Sequence, residues 1–238
     1  MVGFAMSTVQ TQLQLEDKYP LPRGFSPSHI IGYIACPRSF FIRYVLKVKP
    51  DFISPVLELG SRVHEKLSNL IFESDNPEEQ RYLSVAYDAF QRLPANPILE
   101  TTYQDKTNPG RYTGQCLHYP FAATFDIHWL QPALGVDWKT GKYNERKNWQ
   151  YEIQAYILNE LYRQKNGYGI NDFRFIFLDN GYVYHAQSLF LGELRTGIEE
   201  QIRSALDAIH ARRFDKKVSY ACSWCDVREY CRLDCGFR

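Results

Sequence analysis

Residues 121–141 read FAATFDIHWLQPALGVDWKTG. Two apolar and aromatic runs, Phe121–Leu130 and Leu134–Thr140, flank Gln131-Pro132-Ala133, which predicts two strands joined by a hairpin. Alternate residues on a strand share a face, so Asp137 and Lys139 point the same way and Asp126 faces them from the neighbouring strand. Two carboxylates and an amine gathered at a strand end make a compact metal-and-base site. Carboxylates bind Mg²⁺ or Mn²⁺, the ion activates water and offsets charge on a phosphate, and a lysine steers or deprotonates that water. An Asp-x-Lys pair taken alone is more often a surface ion pair of little energetic consequence.

Working outward, helical patterns surround this hairpin. Ser26-Pro27-Ser28 opens a helix carrying Ile30, Ile31 and Ile34, which Pro37 is expected to bend. Residues 60–74 and 78–93 read as amphipathic helices, as does Asn148–Lys165. Asp179-Asn180-Gly181 between Phe173–Leu178 and Tyr182–Leu191 is a strong hairpin signal, and a last helix over about 192–212 leads to a cysteine-rich tail. The reading is an α/β fold, a mixed sheet flanked by helices. Residues 1–24 form a polar leader, 25–215 the main domain and 216–238 the cysteine segment.

Composition bounds the partners. With 28 Lys+Arg against 27 Asp+Glu, any nucleic-acid site is a local patch and not a global field. No apolar run of ~18 residues suggests a membrane span, and Met1–Glu16 lacks the basic start and apolar stretch of a secretory signal, so a cytoplasmic protein with no membrane partner is expected. Lys142, Tyr143, Arg146, Lys147 and Trp149 follow the Asp-x-Lys strand and form a candidate nucleic-acid contact, the competing reading being a solvated loop. Arg212, Arg213, Lys216 and Lys217 read as a soluble helix end.

Cys36 and Cys116 stand apart, whereas Cys222, Cys225, Cys231 and Cys235 crowd the C-terminal end. In a reducing compartment this is a metal pattern and not a disulfide framework. C-x₂-C-x₅-C needs a fourth ligand, for which Cys36 beside Pro37 and Cys235 compete; four thiolates suit zinc as well as an iron–sulfur cluster. Cys116, on a predicted strand, reads as a small buried hydrophobe. His64, at a helix start after Gly60, is either an ordinary helix histidine or an added metal ligand.

Taken in order, Ser28-x₇-Cys36-Pro-Arg38, Gly60-x₃-His64, Asp126, Asp137-x-Lys139-Thr-Gly141, Tyr156 and Cys222-x₂-Cys225-x₅-Cys231 resemble the RecB-like PD-(D/E)XK nucleases over about residues 26–235. The similar branch carries an iron–sulfur cluster: CRISPR-associated adaptation exonucleases and the nuclease modules of AddB and exonuclease V. The resemblance implies a restriction-endonuclease-like core and a metal-dependent DNA exonuclease, acting on single-stranded or end-opened DNA in CRISPR adaptation, repair or recombination. It implies that His64, Asp126, Asp137 and the Trp138 carbonyl hold Mg²⁺ or Mn²⁺ and that Lys139 orients or activates water. It implies a [4Fe–4S] cluster on Cys36, Cys222, Cys225 and Cys231, clamping the N- and C-terminal segments together.

The family glutamine four residues before Tyr156 is replaced by Glu152, which shares a helical face with that tyrosine. A carboxylate there either pairs with Lys139 or adds negative charge near the metal. Two alternatives follow: a non-catalytic DNA-binding or scaffold subunit, and a zinc-stabilised protein without nucleic-acid function. A CRISPR integrase or helicase partner and the oligomeric state are left open.

Overall fold

The computed structural model describes residues 19–49, 54–99, 111–219, 222–223 and 225–232. It divides into two compact units. One contains residues 24–28 and 54–204, the other 19–23, 29–49 and 205–232.

The larger unit holds the sheet. Helices α3 (Pro55–Leu67) and α4 (Pro77–Phe90) are followed by β1 (Ile98–Leu99), the hairpin β2 (Arg111–Cys116) and β3 (Tyr119–Thr124), then β4 (Ile127–Trp129) and β5 (Leu134–Lys139). Helix α5 (Asn148–Asn166) crosses over to β6 (Asp172–Phe177), and β7 (Tyr182–His185) returns beside it. The five-stranded sheet runs β1-β4-β5-β6-β7, with β5 and β6 parallel and the other pairs antiparallel. This is a mixed α/β architecture with helices flanking a mixed sheet, consistent with a PD-(D/E)XK core.

Alternation along β5 sorts its side chains. Leu134, Val136 and Trp138 join Leu59, Val63, Leu67, Leu83 and Ala86 in a core with α3 and α4. Asp137 and Lys139 therefore take the opposite face, in register with Phe175 and Phe177 of β6. Gly135 is needed on that face, since a Cβ there would lie 2.7 Å from the Phe125 ring and 2.9 Å from Phe173. Helix α4 starts on Asn76, whose side chain accepts from the Glu78 and Glu79 amides at 2.9 and 3.2 Å.

Several boundaries differ from expectation. Phe121–Leu130 is two strands, not one: it breaks at Phe125-Asp126, with β3 in the hairpin and β4 in the main sheet. The unbroken apolar run hides a change of partner. Helix α3 begins at Pro55, where the missing N–H costs nothing, and stops at Leu67 because Leu70 adopts a left-handed φ of 53°. Past the end of β7 at His185, the Ala186 amide still reaches the Phe173 carbonyl at 2.9 Å, and Glu152 then captures the Gln187 and Ser188 amides.

The smaller unit contains helix α1 (Pro27–Ala35) from His29 onward, α2 (Pro37–Phe40), a π-helical turn Phe41–Val45, the end of α6 (Gly192–His210) and α7 (Arg228–Arg232). Pro37 ends α1 outright, holding Cys36 extended (φ −160°, ψ 107°). The tail is fastened by ordinary contacts: Phe214 stacks on Phe41 at 4.9 Å, Tyr33 Oη donates to the Arg213 carbonyl at 2.7 Å, and Lys217 Nζ donates to the Ile34 carbonyl at 3.0 Å. Arg43 pairs with Asp226. Among the described residues, no helix is long and apolar enough to cross a membrane.

Candidate functional site

The site candidate of the larger unit is assembled at the end of β5. Asp126 lies in the break before β4; its Oδ2 accepts the Trp138 amide at 2.7 Å and stands 3.5 Å from His64 Nδ1. His64 reaches this point because α3 approaches the strand end through Gly60, where a Cβ would come within 3.1 Å of Thr140 Oγ1. Lys139 Nζ lies 2.6 Å from Asp137 Oδ2 and 5.3 Å above the Phe175 ring. Gln154 of α5 closes the group: its Oε1 accepts from Lys139 Nζ at 3.2 Å and its Nε2 donates to Asp137 Oδ1.

Charge is tightly balanced here. Burial pushes the Asp137 carboxyl above its usual range, with Asp126 adding to the rise and Lys139 opposing it. Burial also works against ionised Asp126, but His64, the Trp138 amide and Lys139 together hold it below the usual carboxylate range. For His64, burial lowers the imidazole, and the two aspartates, Asp126 foremost, outweigh this and raise it to about 9.

Does a divalent cation suit these residues? The Asp137 side chain is only 8% exposed, and its Oδ2, though ion-paired, is a buried oxygen without a well-directed hydrogen bond. Two acidic groups facing one another in low dielectric call for a hard cation with oxygen ligands. The donor set fits. Among the described residues no three His, Cys, Asp or Glu side chains converge as a ligand set; the protein's own His64 and Lys139 offset the carboxylates instead.

Two expected site residues lie elsewhere. Glu152 does not meet Lys139. Its Oε1 accepts from Tyr184 Oη at 2.6 Å and the Gln187 amide at 2.8 Å, and its Oε2 accepts the Ser188 amide at 2.8 Å. Two residues along a helix turn the side chain to the far flank, so the glutamate tethers the chain after β7. Tyr156 is buried, with Arg195 of α6 5.5 Å from its ring, and burial, Cys116 and Glu199 all push its hydroxyl pKa up. Sequence reasoning missed Gln154. Its signal was available: it stands one turn from Tyr151 and Leu158, both buried, which puts an amide on the inward side of the helix.

The expected cluster ligands Cys36, Cys222, Cys225 and Cys231 all belong to the smaller unit and are free, partly exposed thiols. Burial raises the Cys231 thiol, and Cys36 and Cys225 are near enough to raise it further, with Lys216 opposing. Cys222 Sγ instead faces the Lys217 carbonyl at 3.9 Å and the Ser219 amide at 3.4 Å. Among the described residues these thiols do not converge as a ligand set. Cys235 lies outside them. Cys116 is buried on β2, with its thiol pushed up to about 12 by burial.

Residues 24–115 match the PD-(D/E)XK nuclease superfamily. The matched stretch carries Cys36, Gly60 and His64 and ends before Asp126. A match to a nuclease superfamily points to metal-dependent phosphodiester hydrolysis, a class that typically uses Mg²⁺ or Mn²⁺. Among solved structures, a crystal structure of SSO0001 aligns over 95% of this chain and 96% of its own, at 13% identity and a TM-score of 0.47. No curated protein matches the sequence.

Proposed function

We propose that the protein is a metal-dependent DNA exonuclease acting on single-stranded or end-opened DNA. One observation carries the reading: Asp126, Asp137 and Lys139 meet at the end of β5, with His64 of α3 beside them. The superfamily match to residues 24–115, a stretch that includes His64 and ends before Asp126, supports it.

Asp126 and Asp137, with His64 and the Trp138 carbonyl, would hold Mg²⁺ or Mn²⁺. The bound ion would supply Lewis acidity and a nucleophilic water at neutral pH. Lys139 Nζ donates hydrogen bonds, so it orients the attacking water and offsets charge on the scissile phosphate. Gln154 fixes Lys139 against Asp137 and limits the swing of a long, flexible side chain. Lys142, Arg146 and Lys147, all exposed, are placed to meet the sugar–phosphate backbone.

The proposal includes a [4Fe–4S] cluster on Cys36, Cys222, Cys225 and Cys231, joining segment 216–238 to the 25–215 domain. What supports it is that four thiols from opposite ends of the sequence belong to one compact unit, thiolates being the ligands such clusters take. Such a link would remove up to about 5 kcal/mol of denatured-state entropy by the loop-closure expression. CRISPR adaptation, repair and recombination are the settings this activity fits.

The test is digestion of single- and double-stranded DNA labelled at either end, with Mn²⁺, by wild type and Lys139→Ala. Lys139-dependent loss of nucleotides from single-stranded ends is expected. Cleavage that is equal in both proteins, or absent with every substrate, overturns the reading.

A further inference from the structure

The face of the sheet that carries Asp137 and Lys139 continues as aromatic rows. Register partners on adjacent strands point the same way, so Asp137, Phe175 and Tyr184 form one row and Lys139, Phe177 and Tyr182 the next. Tyr151 of α5 covers the middle, with its ring 5.1 Å from Phe175, 5.4 Å from Phe177 and 5.8 Å from Tyr184. Beyond α5 the rows reach the surface. Tyr143, from the segment after β5, stacks on Tyr182 at 4.3 Å and 28°, and lies 5.8 Å from Tyr184 at 24°.

Rings are thus in contact from beneath Lys139 Nζ out to Tyr182, which is 42% exposed. A core needs no such exposed end. The surroundings are cationic as well as aromatic: Lys142, Arg146 and Lys147 are exposed next to Tyr143. The nearby acids are Glu145 and Asp179, and Asp179 is flanked by Arg81 at 3.3 Å and Lys142 at 3.9 Å.

We infer that Tyr143 and Tyr182 form a stacking platform for an unpaired base of single-stranded DNA, adjoining the hydrolytic group. The inference rests on the nuclease reading above and gives it a base subsite. A flat ring pair takes any base, because every base has a π-face, and it requires that base to be unpaired. Phosphates flanking the stacked base lie within reach of the exposed lysines and arginine, which bind backbone without regard to sequence. Tyr184 is the fixed member of the set: its hydroxyl is donated to buried Glu152, so the ring cannot swing away from Tyr143.

The experiment measures affinity of the full chain in Ca²⁺ for a labelled oligothymidylate and for an abasic oligonucleotide of the same length. Wild type is expected to prefer the base-bearing strand. Tyr182→Ala should weaken oligothymidylate binding roughly 5- to 100-fold and leave abasic binding unchanged. Tyr182→Trp should restore the preference, and its indole fluorescence should be quenched by oligothymidylate and not by the abasic strand. Circular dichroism checks that each variant is folded. Equal affinity for the two strands in wild type, equal weakening of both in Tyr182→Ala, or no binding of either overturns the platform. Mn²⁺ digestion by wild type and Lys139→Ala separates the two readings. Base preference through Tyr182 without cleavage leaves the platform standing and removes the nuclease; Lys139-dependent cleavage without base preference does the reverse.

Discussion

Glu152 and Gln154 stand two residues apart on α5 and serve different ends of the structure. Gln154 bridges Lys139 and Asp137, while Glu152 takes the Gln187 and Ser188 amides and the Tyr184 hydroxyl. One helix therefore braces the Lys139–Asp137 pair with an amide and anchors the chain after β7 with a carboxylate. The amide suits its place because it can accept from an amine and donate to a carboxylate at once. The carboxylate suits its own because all three of its partners are donors.

Exchanging these chemistries should separate their roles. Gln154→Ala is expected to lower kcat roughly 10- to 100-fold with little change in KM, since Lys139 loses its brace. Glu152→Gln should leave kcat and single-strand affinity in Ca²⁺ unchanged while costing about 1–3 kcal/mol of stability, because the new amide group meets donors. Steady-state kinetics and thermal melts of both variants check this. A large kcat loss in Glu152→Gln with an unchanged melt would return that residue to the site.

Lys139→Ala and Asp126→Ala should each reduce cleavage roughly 100-fold or more, with the circular dichroism spectrum preserved. Near-normal rates in either folded variant would contradict the assignment of this group as the hydrolytic centre.

The sequence made part of this site readable and concealed the rest. Asp137 and Lys139 were found by strand alternation, because period two is strict and one face of β5 is plainly apolar. His64 was within reach because Gly60 precedes it by one helical turn. Gln154 escaped because the expected glutamine was sought four residues before Tyr156; helix phase, not spacing from a tyrosine, decides which side chains meet β5. The division of 121–130 between two sheets left no mark, since Phe125 is as apolar as its neighbours and pairing partners are not written in local sequence. The capture of the chain after β7 depends on Glu152, 35 residues upstream of Gln187, a tertiary contact that local propensity does not encode.

His64 gives the metal-free protein a pH signature. Its folded pKa of about 9 exceeds the ordinary imidazole value of 6.5, so its contribution is fully present below pH 6.5 and is lost as pH rises through 9. The melting temperature of metal-free protein should fall between pH 7 and 9, and this slope should flatten in His64→Gln. Identical slopes in the two proteins would show that Asp126 does not hold the imidazolium. The side chain is 37% exposed, so solvent screening makes the effect modest.

His128 should act at the opposite end of the scale. It is buried, with Nε2 2.9 Å from Tyr112 Oη, and burial lowers it to about 4. The unfolded chain binds a proton there first, so stability should fall as pH drops from 6.5 toward 4, by up to about 3 kcal/mol. Comparing acid titrations of wild type and His128→Phe isolates this, because the substitution removes the titration whatever it does to the baseline.

For the cysteines, the expected outcome is paired. Cys36→Ala and Cys225→Ala should each lose iron and lower the melting temperature by similar amounts, whereas Cys116→Ala should keep its iron. Iron and zinc content of anaerobically purified protein is the measurement. Full iron in Cys36→Ala with loss in Cys235→Ala would make the centre local to the C-terminal segment.

Strand β5 presents Val136 and Trp138 to one layer and Asp137 and Lys139 to the other. A slip of one residue against β6 would exchange the two sets, putting an aspartate and a lysine against the α3–α4 core and an indole where the charged group belongs. On the proposed function, turnover would double as a readout of pairing fidelity: a chain assembled one step out of phase would be silent, so the specific activity of a refolded preparation would count the correctly zipped fraction, which total helix content cannot do.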